Sequence, residues 1–238
     1  MKDKKRANAF DLIVVDRADP KMCEGYYRLK DNVLFLNEGG KNKVIQLASS
    51  VTGECKTQVA ANLAVLLGMN DKKVIVVDLN FIHPGLHRLF GFSNTMGLSE
   101  YMNGKATLDE AINKTSYKNV DVLLQGENVA NSSLVLISEK FRATVEELGR
   151  RYDVVLLDMS PVLQSSDYLH VSPLADATIF LVAYGKTKRS HVQEAIGELR
   201  RSGANIVGSV FTLYDAKKGR SVGYVGNSYY DGYDDIKL

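Results

Sequence analysis

The residues best placed to do chemistry in this sequence are Lys56, Thr57, Asp78 and Asp158. Lys56 and Thr57 close the run Ser49-Ser50-Val51-Thr52-Gly53-Glu54-Cys55-Lys56-Thr57, which is small and polar for most of its length. A loop of this kind closing on Lys-Thr can hold phosphate. Backbone N–H groups and a helix N-terminus face the oxygens, the lysine reaches the terminal phosphates, and the threonine takes magnesium. The candidates for phosphate contact are Gly53, Glu54, Cys55, Lys56, Thr57 and Gln58. Two positions depart from the regular pattern: Ser50 replaces the first glycine and Cys55 the glycine before the lysine. Asp78 and Asp158 each end an apolar run, where a carboxylate can support a metal or accept a proton.

Positioning these groups requires strands and helices in a particular order. Val44 to Ala48 is a short apolar run, which predicts a buried strand before the loop. After it, Val59, Leu63 and Leu66/Leu67 fall at helical spacing and Gly68 is a helix stop. Strands are predicted at 72–78, 120–124, 152–158, 177–183 and 206–211. Helices are predicted at 22–36, 107–113, 138–150 and 190–201. Buried strands alternating with helices give an α/β fold, a parallel sheet with helices on both faces. Ligands in such sheets bind outside the carboxyl ends of the strands, where the loop at 49–57, Asp78 and Asp158 would meet. A Ser/Thr-rich turn between any strand and helix would look similar alone, and the convergence of the two carboxylates favours the phosphate loop.

At 238 residues and 45% hydrophobic, the chain has material for one deep core. We expect an N-terminal arm over residues 1–20, a domain over 21–218 and a flexible tail over 219–238. A net charge of +2 with 24% charged residues gives no global field for nucleic acid. No apolar run approaches the roughly 18 residues that span a bilayer, and no signal peptide is evident, so a cytoplasmic setting is expected. Cys23 and Cys55 have no metal spacing and read as free thiols. Beyond Gly219 the chain carries Tyr224, Tyr229, Tyr230 and Tyr233 among Gly, Ser, Asn and Asp, without an apolar period.

Together these stretches resemble the cytoplasmic tyrosine kinases of bacterial capsule and exopolysaccharide synthesis, relatives of the deviant P-loop ATPases. Ser49 to Thr57 resembles that family's SxxPGEGK[ST] loop. Asp78-Leu79-Asn80-Phe81-Ile82-His83-Pro84-Gly85-Leu86-His87-Arg88-Leu89-Phe90-Gly91 resembles its DxDxRxPxLHxxFG motif, and Asp158-Met159-Ser160-Pro161 its DxxP motif. Gly185-Lys186-Thr187-Lys188-Arg189 matches a GxTxR element, and Tyr224, Tyr229, Tyr230 and Tyr233 stand where the family has its autophosphorylation cluster. The resemblance implies a P-loop NTPase fold, ATP and Mg2+ as cofactors, and transfer of phosphate to tail tyrosines of a neighbouring subunit. Lys56, Asp78, Asn80 and Asp158 would be catalytic, and Thr57, Asp78 and Asp158 would hold the metal. It also implies a transmembrane chain-length regulator as partner, which would bring the chain to the inner face of the membrane.

The departures are specific. Asn80 replaces the second Asp of DxDxR and Ile82 its Arg, while Thr212 falls where the family has an adenine-reading Asn. The self-association motif ExxRxxR appears as Glu24, Tyr27 and Lys30. These losses leave a second reading open, a catalytically impaired scaffold subunit of the same machinery.

Overall fold

The computed structural model describes residues 12, 14, 20–127 and 132–213. From Pro20 on, the described chain forms helix α1 (Pro20–Leu36) and strand β1 (Val44–Ser49), joined through the phosphate-loop stretch to helix α2 (Lys56–Met69). Strand β2 (Val74–Leu79) precedes three short helices, α3 (Leu86–Phe90), α4 (Leu98–Met102) and α5 (Leu108–Ala111). Strands β3 (Ile112–Lys114) and β4 (Val120–Leu123) lead to α6 (Ser132–Leu136) and α7 (Glu139–Arg151). The described chain finishes with β5 (Val154–Met159), α8 (Tyr168–Val171), β6 (Ala177–Ala183), α9 (Arg189–Arg201) and β7 (Ile206–Thr212).

The strands form one seven-stranded sheet in the order β3-β4-β2-β5-β1-β6-β7. All neighbouring pairs are parallel except β3 with β4. β1, β2 and β5 are buried along their whole length, as strands covered on both faces must be. Their side chains alternate between the two layers. Ile45, Leu47, Val74, Val76, Val154 and Leu156 join α1 and α2 on one face. Ile75, Val77, Val155 and Leu157 meet α7 on the other, and Ala48 and Phe180 meet α9 there. This is the P-loop NTPase arrangement, with the carboxyl ends of β1, β2 and β5 along one rim.

α2 is buried almost all round rather than on the single face its spacing suggests. Leu29 and Val33 of α1 cover the side that would otherwise meet solvent. Gly68 lets the end of α2 approach the next segment closely, since a Cβ there would lie 2.4 Å from the Lys118 carbonyl oxygen. The predicted helix at 107–113 is shorter than expected. A Thr107–Glu110 capping box starts it, but it ends at Ala111, and Ile112 to Lys114 pair antiparallel with β4 instead. α7 behaves as its pattern predicts: Ser138 accepts from the Phe141 N–H, and Phe141, Thr144, Val145 and Leu148 are buried.

Leu12, inside the expected N-terminal arm, is buried in the α1/α2 core, and the Val14 N–H donates to Asn62 Oδ1 at 3.0 Å. Val14 is thereby tied to α2. No helix among the described residues is long and apolar enough to cross a membrane. Tyr224, Tyr229, Tyr230 and Tyr233 lie outside the described residues.

Candidate functional site

Asp78 and Asp158 are register partners on the adjacent parallel strands β2 and β5. Side chains of such partners share a face, and here it is the face carrying α2. Both carboxylates are fully buried. The fold thus brings together the two strand-end carboxylates and the first turn of α2.

The loop between β1 and α2 is built by a few contacts. Lys56 is buried and its Nζ donates to Ser49 Oγ at 2.7 Å, folding the side chain back across the loop. Burial pushes its pKa below the ordinary lysine value, opposed by the Asp158 and Glu54 carboxylates. Thr57 Oγ1 donates to Asp158 Oδ2 at 2.6 Å. Asp158 Oδ1 is buried and has no hydrogen-bond partner among the described residues, and the same holds for Ser50 Oγ. At the start of α2 the amides of Lys56 and Thr57 have no intrahelical acceptor. Next to them, the segment after β5 runs along the loop: the Val162 and Leu163 N–H groups donate to the Ser49 and Ser50 carbonyls, and Thr52 Oγ1 bonds Gln164.

Cys55 is the N-cap of α2 and has φ 63°, in the left-handed region where glycine is at ease and a side chain costs about 1–2 kcal/mol. That backbone shape is the one the missing glycine would supply. The thiol is half-buried, and burial raises its pKa against the pull of Lys186 and Lys56. Glu54 turns inward. Its carboxylate accepts from the Val51 N–H at 2.8 Å, the Ala183 N–H at 3.3 Å and Thr187 Oγ1 at 2.5 Å. Only its backbone is left for a phosphate, whereas the sequence suggests contact without saying which part of the residue makes it.

Asp78 is held by backbone donors. Its Oδ1 accepts from the Asn80 N–H at 3.2 Å, and its Oδ2 from the Gly85 and Leu86 N–H groups at 3.1 and 3.2 Å. The carboxylate is thereby tied to the loop that leads into α3. Burial raises its pKa, and the neighbouring Asp158 adds to this, while the backbone donors oppose it. Burial raises Asp158 as well, opposed by Lys56 and Thr57. Asn80 is buried and its Oδ1 accepts from the His83 N–H at 3.2 Å, an Asx-type closure of the same loop. Ile82, where the resembled motif has an arginine, is exposed.

Two contributors escaped the sequence reading. Ser49 holds Lys56, and Gly85 packs so closely on Thr57 that a Cβ there would meet its Cγ2 at 3.0 Å. Pro84-Gly85 ahead of an apolar run was the available signal for the second. Of the residues that stand where the resembled family has its self-association motif, Glu24 pairs with Arg28 along α1, Tyr27 is exposed, and Lys30 pairs with Asp31.

The site can hold a phosphate chain and a divalent cation. Lys56 is the cation of the loop, and Thr57 with the unpartnered Asp158 oxygen offers oxygen ligands of the kind magnesium takes. The donor set fits the group.

A family model described as AAA domain matches residues 42–202. The chain is 27% identical to the tyrosine-protein kinase YwqD of Bacillus subtilis (strain 168), over 94% of this chain and 95% of that one. It is 26% identical to the tyrosine-protein kinase ptk of Acinetobacter johnsonii, of which it spans only 30%. Among solved structures, the kinase domain of the Escherichia coli tyrosine kinase Etk superposes with a TM-score of 0.81 at 26% identity, covering 94% of this chain and 88% of that one. The septum site-determining protein MinD of Pyrococcus horikoshii, complexed with Mg-ADP, gives a TM-score of 0.61 at 25% identity over 71% and 69%. The chain belongs to the AAA domain family, among relatives that are bacterial tyrosine-protein kinases.

Proposed function

We propose that this chain binds Mg-ATP and acts as a tyrosine kinase of capsule or exopolysaccharide assembly, phosphorylating tail tyrosines of a neighbouring copy. The observation that carries the reading is the Thr57–Asp158 pair, with an unpartnered carboxylate oxygen beside the buried Lys56. Bound Mg-ATP would supply the phosphoryl group and neutralise its charge. Lys56 would bind the terminal phosphates, and the amides of residues 53–57 would orient them. Thr57 and Asp158 would hold the metal, with Asp78 fixing the adjacent loop and receiving the tyrosine proton. Phosphoryl transfer of this type is mostly positioning and charge stabilisation, so removing one such group costs orders of magnitude. Tyr224, Tyr229, Tyr230 and Tyr233 would be the acceptors, and a transmembrane regulator of chain length would be the activating partner at the inner membrane face. Contacts through Glu24, Tyr27 and Lys30 would bring subunits together.

A scaffold reading has specific support of its own. Asn80 offers an amide already committed to His83, and Ile82 brings no positive charge. Incubation with γ-labelled ATP and magnesium, with and without the partner's cytoplasmic tail, separates the two. The kinase reading expects label on tyrosine in the wild type and none in Lys56→Met. Tight Mg-ATP binding without label in either condition would establish the scaffold reading instead.

A further inference from the structure

Glu54 is a buried carboxylate in the middle of the phosphate loop, and its oxygens are taken up by protein donors. Besides the Val51 N–H of its own loop, it accepts from the end of β6 and the turn that follows, at the Ala183 N–H and Thr187 Oγ1. A third tie runs from Thr212 Oγ1, at the end of β7, to the Glu54 carbonyl at 3.1 Å. The turn itself is tight. The Lys186 and Thr187 N–H groups both donate to the Ala183 carbonyl at 3.1 and 3.0 Å, with Gly185 at φ 69°. Lys186 is therefore carried on a turn clamped to the loop by its immediate neighbour.

The ammonium of Lys186 is exposed and makes no hydrogen bond or ion pair among the described residues. Lys186 stands one residue before Thr187, whose hydroxyl is bonded to Glu54 in the middle of the loop, so its charge is carried beside the loop. Lys56 lies among the Asp158 and Glu54 carboxylates, whereas Lys186 adds a positive charge at the loop that forms no ion pair among the described residues. We propose that Lys186, docked through the Glu54–Thr187 hydrogen bond, is a second phosphate-binding cation that joins Lys56 in holding a nucleoside polyphosphate. An exposed lysine brought beside an anion by its scaffold acts as a point charge, a role that suits lysine. The inference rests on the nucleotide-binding reading above.

The test is calorimetric titration of ATP and ADP, at fixed magnesium, into the full chain and its variants. Lys186→Ala should weaken binding about tenfold and flatten its dependence on salt. Lys186→Arg should stay within about threefold of the wild type, since the charge is kept. Lys188→Ala, an exposed charge on the same turn, should leave binding unchanged. Thr187→Val should weaken binding less than Lys186→Ala, and combining the two should add nothing to Lys186→Ala alone. Wild-type affinity in Lys186→Ala, or an equal loss in Lys188→Ala, would overturn the assignment while leaving the nucleotide site standing. A wild type that binds neither nucleotide would overturn both.

Discussion

Thr57 Oγ1 donates to one oxygen of Asp158 at 2.6 Å and leaves the other, equally buried, with no partner. A buried carboxylate oxygen without a donor costs about 1–3 kcal/mol or more. The fold keeps that cost by placing Asp158 at a strand end with Lys56 nearby and Asp78 across the register. A cation at this point would relieve it.

Cys55 sits in the left-handed region. Cys55→Gly should stabilise the chain by about 1 kcal/mol, because glycine adopts that conformation without a side-chain clash. Nucleotide affinity should rise as well, by about fivefold, as the loop backbone becomes approachable. Urea denaturation and calorimetry on the same variant check both. A destabilised variant would mean that the thiol contributes packing that outweighs its strain.

Asn80→Asp should separate charge from loop geometry. The new carboxylate can still accept from the His83 N–H, so the turn persists. It also adds a third acid near Asp78 and Asp158, which are buried and repel one another. In chelator the variant should melt lower than the wild type, and added Mg-ATP should raise its melting temperature by more. Phosphorylation of the tail should rise about tenfold if the missing charge limits transfer. Equal responses to Mg-ATP in both proteins would remove residue 80 from the site.

Two helical glycines should respond in opposite directions. Gly197, in α9, has nothing within 4 Å of a Cβ position, so Gly197→Ala should gain about 0.5–1 kcal/mol from helix propensity. Gly68→Ala meets the Lys118 carbonyl at 2.4 Å and Val120 Cγ2 at 2.7 Å. The clash with backbone outweighs propensity, and a loss of about 2–3 kcal/mol is expected. Urea midpoints for the two variants decide the matter.

The buried strands and their carboxylates were legible because a continuous apolar run ending on Asp has few other uses in a covered parallel sheet. Asp78 and Asp158 could be expected to meet once the strands were placed side by side. What the sequence hid was direction. Nothing in Gly53-Glu54-Cys55 says that Glu54 turns inward to Ala183 and Thr187, since those partners lie more than a hundred residues away. The short helices α4 and α8 were also missed, because elements of so few residues hold by tertiary contacts and carry almost no periodicity of their own. β3 was hidden for a related reason. Ile112 follows a genuine helix cap, and only pairing with β4 turns the chain into a strand there.

Thr57 and Asp158 should form a magnesium-dependent phosphate site with Lys56. Calorimetric titration of ATP into the wild type and Asp158→Asn, each with and without magnesium, tests it most directly. Asparagine can still accept the Thr57 hydroxyl but offers the metal no charge, so the loop should survive the change. Magnesium should tighten ATP binding to the wild type by about tenfold or more, and Asp158→Asn should lose this gain. Magnesium-independent binding in the wild type, or an undiminished magnesium effect in Asp158→Asn, would contradict it.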